Sequence, residues 1–381
     1  MLGEQARDNF GVQGDTISRH IKYASYVSEL NVVVTSPPGY VHTKLSKNLH
    51  VYPTCSRTLI GHFLSILKYA ESFHSHMSLD LVVAQDLLSP VAYLISKKYN
   101  IPYIVNFHSS GFDSPEWRRG GLFVFLPFVK YAVKRADRVR VVSKAVKKNL
   151  SHYKVKGVEV IPTPVDLELF ANFSDEEAVR IIRSKYDAEY IVLTDGRLEN
   201  VKDVSTLLIA FKELLIHCRK ENKSKAERVR LLIIGTGSLK DKLIKEAEDL
   251  GISRYVVFIG SVDFDRLPLY YHACDVFVLA SKSESLGKVI LQASASGKVV
   301  IATKTEGAKS IIKNNKTGFL VDIGRPRQIA SKIKKVLENK KMRKEMGNSA
   351  REYVLENFSA EKNIVRIIDM WEEAVNDRKF V

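Results

Sequence analysis

Short apolar runs alternate with amphipathic stretches along almost the whole chain. Asn31-Val32-Val33-Val34-Thr35, Leu79 to Ala84, Tyr103-Ile104-Val105-Asn106-Phe107 and Val139 to Val142 read as buried strands. Helical patterns separate them, such as Thr16 to Leu30 and Leu87 to Tyr99. Strands alternating with helices predict a parallel sheet flanked by helices. Met1-Leu2 reads as the tail of a first strand whose starting residues are missing.

Near Pro162-Thr163-Pro164 the pattern meets a rigid break, followed by a polar stretch rich in Asp, Glu, Arg and Lys. The alternation then restarts. Tyr190 to Leu193, Val229 to Ile234, Tyr255 to Ile259, Asp275 to Leu279, Val299 to Ala302 and Phe319 to Val321 are predicted strands. A helix over Asp203 to Leu215 would gather Val204, Leu207, Leu208, Phe211 and Leu215 on one face. The organisation expected is an N-terminal α/β domain over 1–165, a second over 166–355, and a terminal helical segment over 356–381. That last helix has Ser359 as N-cap and an apolar face of Ile364, Ile367, Ile368, Trp371 and Val375, which packs back on the first domain. Ligands in such sheets sit at the carboxyl ends of strands, so two facing domains predict a cleft between them.

The 381 residues suffice for two cores. The N-terminus lacks a signal-peptide apolar core. The longest apolar run, Leu122 to Val129, falls far short of the ~20 residues that span a bilayer. Cys55, Cys218 and Cys274 are widely spaced, without metal-ligand or CxxC spacing, and read as unpaired thiols in a reducing cytoplasm. The net charge of +16 permits an anionic partner without choosing among nucleotide, anionic lipid and nucleic acid.

The stretch richest in chemistry is Ser281 to Gly297. It leaves one apolar strand and leads through a short apolar helix, opening near Gly287 and closing at Gly297, to the next. Glu284 is thereby held in the loop just before a helix N-terminus. The free amides near Gly287 and Lys288 form an anion site suited to a phosphate. Arg197 and Lys202 lie in another strand-to-helix loop, Asp195-Gly196-Arg197-Leu198-Glu199-Asn200-Val201-Lys202. A guanidinium and an ammonium there match two phosphates by charge. By themselves they read more simply as solvated surface cations.

Other features are weaker. Gly235-Thr236-Gly237 is a lone GxG, without the third glycine or ribose-reading acid of a dinucleotide fingerprint. Asp263-Phe264-Asp265 has the form of a metal-binding DxD, but Asp before an amphipathic helix is an ordinary cap. Gly11-Val12-Gln13-Gly14-Asp15 would admit a phosphate or sugar to the backbone at Gly14 and Asp15, or is a plain turn. His108 ends a strand at the carboxyl edge, where on position alone a hydrogen-bonded structural histidine is the simpler reading and a ligand-facing one the alternative. The segment 117–131 mixes aromatic and basic residues. It fits an anionic membrane surface, or more simply a core helix after a basic loop.

Taken together the motifs resemble retaining nucleotide-sugar glycosyltransferases of family 4, with the twin-Rossmann GT-B fold. Gly196-Arg197-Leu198 with Lys202 resembles that family's G-R-L-x-x-x-K, and Glu284-Ser285-Leu286-Gly287 its E-x-F-G, with Leu286 in place of the aromatic. Gly297 to Ala302 and Thr317 to Val321 are similar to further signatures, and Ile161 to Asp166 to the interdomain P-N-G-V-D, altered at two positions. The resemblance implies that Arg197, Lys202, Gly287 and Lys288 hold a donor diphosphate. It implies that Glu284 and His108 contact the transferred sugar, and that Gln292 and Val262 meet the nucleoside. Gln292 stands where the family has the second Glu of E-x7-E, so the ribose hydroxyls would meet a neutral acceptor and a weaker bond. Ser310 is a second departure, where a Glu is frequent.

The expected activity is transfer of a hexose from a nucleoside diphosphate sugar, UDP- or GDP-linked, to a glycan or lipid-linked hydroxyl with retention. It would need no metal and no other cofactor, and would run in the cytoplasm or peripherally on the cytoplasmic membrane face. Arg197, Lys202 and the helix dipole at Gly287 would take the charge of the leaving diphosphate. Alternatives are another GT-B enzyme such as a nucleotide-sugar epimerase, a transferase that binds but turns over poorly, and a non-catalytic basic binding protein. The chain carries no aromatic-basic module that supports nucleic acid as partner.

Overall fold

A computed structural model describes residues 2–5, 15–109, 111–112, 117, 122–221 and 227–379. The chain divides into two compact units. Met1–Pro164 with Ala360–Val381 forms one, and Val165–Ser359 the other.

The first unit is built on an eight-stranded sheet. Its strands are β1 (Leu2–Gln5), β2 (Leu30–Thr35), β3 (Thr43–Ser46), β4 (Leu49–Pro53), β5 (Val82–Gln85), β6 (Tyr103–Phe107), β7 (Arg138–Val141) and β8 (Val158–Val160). They lie in the order β3-β4-β2-β1-β5-β6-β7-β8. All neighbours are parallel except the β3–β4 hairpin. Central strands are buried on both faces, which is why they read as mainly apolar runs even with Asn106 and Arg140 buried among them. On one face Val32, Val34, Leu49 and Val51 pack with Ile364, Ile367 and Trp371 of the terminal helix Ala360–Lys379.

Three sequence expectations shift here. The helix read over Thr16 to Leu30 spans only Asp15–Ala24, because the Asn48 side-chain amide donates to the Ala24 and Val27 carbonyls and ends it. The strand read from Leu79 begins at Val82. The β3–β4 hairpin, short and half-polar, and β8, which carries Glu159 at its centre, were not legible as strands.

The second unit has a six-stranded parallel sheet of β9 (Tyr190–Asp195), β10 (Val229–Ile234), β11 (Val256–Gly260), β12 (Val276–Leu279), β13 (Val299–Thr303) and β14 (Phe319–Val321). Their order is β11-β10-β9-β12-β13-β14. Strand order therefore reverses between β9 and β12, and at such a switch point the loops from the two carboxyl ends diverge and leave a crevice. The helix Val204–Glu221 covers one face with Leu207, Leu208, Phe211 and Leu215, all fully buried. It starts one residue later than the pattern suggested, since Asp203 adopts a left-handed φ of +48° and accepts from the Thr206 hydroxyl. Cys55, Cys218 and Cys274 are all free thiols.

Candidate active site

The switch point of the second unit holds the candidate site. The loop after β9 is threaded against the loop after β10. The Gly196 and Leu198 amides donate to the Ile234 and Thr236 carbonyls, and Leu239 N–H returns a bond to the Leu198 carbonyl. That contact explains the GxG. A Cβ on Gly235, whose φ is +120°, would lie 2.0 Å from the Gly196 carbonyl oxygen, so only glycine fits. Gly235-Thr236-Gly237 is a packing device beneath the Arg197 loop.

The loop after β12 is tied on both sides. Lys282 N–H donates to the Val201 carbonyl across to the β9 loop, and Thr303 Oγ1 donates to the Ser281 carbonyl from β13. Gly307 N–H donates to the Glu284 carbonyl. A side chain at Gly307 would strike the Leu286 carbonyl at 2.7 Å, so this approach also requires glycine. Glu284 is thus fixed by its backbone before its carboxylate is considered.

The carboxylate has two partners on one oxygen. Lys202 Nζ lies 2.5 Å from Oε1, and Ser281 Oγ donates to the same atom at 2.7 Å. Both charged side chains are largely sheltered, with 18% and 12% of their surfaces exposed. Arg197, in the same loop as Lys202, is exposed. Gly287 caps the helix Lys288–Ala295 with a φ of +82°, and Lys288 begins the helix half-buried. Glu284 and Lys202 are therefore brought together, with Arg197 in the same β9 loop as Lys202 and the helix N-terminus three residues after Glu284.

Gln292 projects one turn into that helix and is buried. Its side-chain oxygen lies 3.4 Å from the Tyr271 hydroxyl, which donates to Asp195 Oδ2 at 2.8 Å. Burial lifts the Asp195 carboxyl to about 6, against the opposing pull of the Tyr271 hydroxyl and the Lys202 charge. Burial, with Asp195 alongside, raises Tyr271 well above the usual phenol range. Sequence reasoning gave Asp195, Tyr271, Ser281 and Thr303 no role. Asp195 directly precedes the Gly196-Arg197-Leu198 motif and carried a signal, whereas Tyr271 lies in the helix Leu267–Ala273 and reads as core.

Of the other residues singled out, Val262 follows β11 and is half-buried. Asp263 sits before a single 3-10 turn, Phe264–Arg266, where its carbonyl accepts from Arg266 N–H but its side chain makes no cap. The side-chain cap read from sequence is thus corrected to a backbone one. Among the described residues no cluster of three or more His, Cys, Asp or Glu is placed to hold a metal ion. Ser310 donates to the Gly307 carbonyl at 2.7 Å.

In the first unit, His108 follows β6, and its amide donates to both carboxylate oxygens of Asp86 at 3.0 and 3.1 Å. Ser109 gives its amide and hydroxyl to the same carboxylate. Asp86, at the carboxyl end of β5, is a positioning residue that the sequence reading passed over. Gly14 lies outside the described residues, and Asp15 opens the first helix. Within 117–131 the core-helix reading holds for one face only. Residues 118–121 lie outside the described residues; Trp117 and Val129 are buried, whereas Phe123, Val124, Phe128 and Tyr131 are exposed.

Two family models match the chain, glycosyl transferases group 1 over residues 175–353 and glycosyltransferase family 4 over 29–169. The chain belongs to the group 1 glycosyltransferases. Among curated relatives, an alpha-monoglucosyldiacylglycerol synthase of Streptococcus pneumoniae is 32% identical over 235 residues, 59% of this chain and 52% of the relative. The chain spans 61% and 52% of the length of the first two curated relatives it matches. Its fold is that of GT-B enzymes. A sucrose-phosphate synthase from Thermosynechococcus elongatus superposes with a TM-score of 0.82 at 21% identity, over 98% of each chain. The Anabaena protein HepE, solved with UDP-glucose, gives 0.78 at 19% identity, again over 98% of each.

Proposed function

We propose that this glycosyltransferase moves a hexose from a nucleoside diphosphate sugar to a glycan or lipid-linked hydroxyl, with retention and without a metal. The observation that carries the reading is the Lys202–Glu284 pair, 2.5 Å apart at the β9/β12 switch point, with Arg197 and the Gly287 helix N-terminus close in sequence. The leaving diphosphate gains negative charge as the glycosidic bond breaks. Arg197, Lys202 and the positive end of the helix that follows Gly287 then supply the stabilisation that a divalent cation gives elsewhere. Glu284 orients the sugar hydroxyls, Gln292 and Val262 meet the nucleoside, and His108 is the sugar-contacting residue of the first unit.

The UDP-glucose complex of HepE supports a UDP-sugar as first choice of donor, with a GDP-sugar next. The diacylglycerol product in the name of the S. pneumoniae relative supports a lipid-linked acceptor. The exposed Phe123, Val124, Phe128 and Tyr131, with Lys134 and Arg135 exposed nearby, suit an anionic bilayer surface, here the cytoplasmic face. Among the described residues no helix is long and apolar enough to cross a membrane.

The deciding experiment is a thermal-shift and hydrolysis panel of UDP-, GDP- and ADP-sugars with and without EDTA. One donor should stabilise the protein and be hydrolysed at an unchanged rate in EDTA, and NMR of the product should show the donor's anomeric configuration. No stabilisation by any donor would sink the reading.

A further inference from the structure

One buried charge in the first unit has no counter-charge. Arg140 is the penultimate residue of β7 and only 3% exposed. Its Nε donates to the Ile161 carbonyl at 3.0 Å, and its Nη2 has no acceptor. The ionisable groups that bear on it among the described residues are Tyr23, Arg19 and Arg366, and none is a carboxylate. Burial lowers the guanidinium to about 10, with Arg19 and Arg366 adding to the fall and Tyr23 opposing it, so the charge persists at neutral pH. A buried charge is ordinarily paired, and one left alone is strongly destabilising. Asp and Lys can shed such a charge by changing protonation, but arginine cannot.

The neighbours of Arg140 add donors and no counter-charge. Arg366, on the terminal helix, gives its Nη2 to the Val160 carbonyl at 2.8 Å, so the two guanidiniums are anchored on consecutive residues of the chain leaving β8. Asn363, one turn earlier on that helix, is buried, and its Nδ2 also has no acceptor. Arg19, on the helix Asp15–Ala24, brings a third guanidinium. Asn106 of β6 is registered on Arg140, and its side-chain oxygen has no donor, so turning that amide over presents an NH2 group instead. Arg366 is exposed and Arg19 half-buried, so the cluster runs from the surface down to Arg140. It lies toward the carboxyl ends of β7 and β8, the edge at which such sheets bind ligands.

We infer that Arg140, Arg366, Arg19 and Asn363 form a binding site for a phosphoryl group, whose oxygens supply the counter-charge that the chain itself withholds from Arg140. Three guanidiniums exceed what a single carboxylate would balance, and their planar forks suit a phosphate dianion with several acceptor oxygens. The group is either free phosphate or the phosphate of a phosphorylated small molecule. The inference does not rest on the donor reading above.

The test is thermal shift in phosphate-free chloride buffer, then with inorganic phosphate or glycerol 3-phosphate added at constant ionic strength. The proteins compared are the parent, Arg140→Met, Arg366→Ala and Arg197→Ala. Either phosphate should raise the parent Tm saturably, by linkage to the folded state. Arg197→Ala should keep that rise, which separates this site from a donor diphosphate site. Arg366→Ala should need at least threefold more phosphate for half the rise, and Arg140→Met should lose it. Without phosphate, Arg140→Met should be as stable as the parent or more so, since it removes an unpaired buried charge. A larger rise with glycerol 3-phosphate than with inorganic phosphate would support a phosphorylated small molecule, and the reverse order the free ion. A full rise in Arg140→Met would overturn the proposal, as would no rise in the parent with either compound. Marked destabilisation of Arg140→Met without phosphate would also overturn it, because the charge would then be compensated within the protein.

Discussion

Lys202 Nζ sits 2.5 Å from Glu284 Oε1, joining the loops that leave the two strands of the switch point. The two groups are coupled, and their substitutions should not act alike. Removing Lys202 leaves a sheltered carboxylate without its cation, whereas removing Glu284 frees the ammonium for a diphosphate. Lys202→Ala should therefore raise donor Kd about tenfold or more, the loss of one charge-assisted contact. Glu284→Gln should lower kcat by at least tenfold while donor Kd stays level or falls. Isothermal titration and initial rates on both variants decide this. A parallel loss of affinity in both would remove Glu284 from the sugar.

Asp195 makes stability depend on pH. Burial raises its carboxyl from 3.8 to about 6. Below the lower value the group is protonated in folded and unfolded chains alike and costs nothing. As pH rises toward 6 the unfolded chain ionises freely and the folded one resists, so stability is lost. Each unit is worth ~1.4 kcal/mol, giving up to ~3 kcal/mol at neutral pH. Asp195→Asn keeps an acceptor for the Tyr271 hydroxyl and cannot ionise. Its Tm should fall less than that of the parent between pH 4 and 6.5. Parallel curves would show that the carboxylate is not penalised.

What the chain disclosed beforehand follows from burial. Tyr103–Phe107, Val229–Ile234 and Phe319–Val321 were legible to the residue, because parallel strands covered on both faces are mainly apolar runs, with Asn106 and Arg230 too isolated to break the pattern. Asp86 was invisible because its role is to accept the amides of His108 and Ser109, over 20 residues away. The link of Asp195 through Tyr271 to Gln292 was invisible for the same reason, its members being close only after the sheet has formed. The Gly235 motif was legible as a signal but not as a meaning, since a glycine admitting a phosphate and a glycine admitting another loop look alike in sequence.

Gln292 is a natural place to trade stability for affinity. Its oxygen already lies 3.4 Å from a hydroxyl whose proton is given to Asp195. Gln292→Glu would offer ribose hydroxyls a charged acceptor, worth about 1 kcal/mol more than a neutral one, or roughly fivefold in donor Kd. It would also set a second carboxylate beside one that burial already pushes up. The variant should bind donor more tightly at pH 8 and be less stable there than at pH 5. Unchanged affinity with unchanged stability would mean that residue 292 does not meet the nucleoside.

Gly235 tests whether the Arg197 loop depends on the loop beneath it. A methyl group there would lie 2.0 Å from the Gly196 carbonyl oxygen, and no flexible side chain is available to yield. Gly251 offers the control, with a φ of +68° and open space around its Cβ position. Gly251→Ala should cost only backbone strain, about 1–2 kcal/mol. Gly235→Ala carries more strain, its φ of +120° lying beyond the left-handed well that Gly251 occupies, and the clash must in addition push the Gly196–Leu198 segment away from β10. Its hydrogen bonds to Ile234 and Thr236 would stretch, and Arg197 would move with them. The expected result is a larger drop in Tm than for Gly251→Ala, with donor affinity reduced at least tenfold in the Gly235 variant alone. If both variants bind donor like the parent, Arg197 does not depend on that packing to meet a diphosphate.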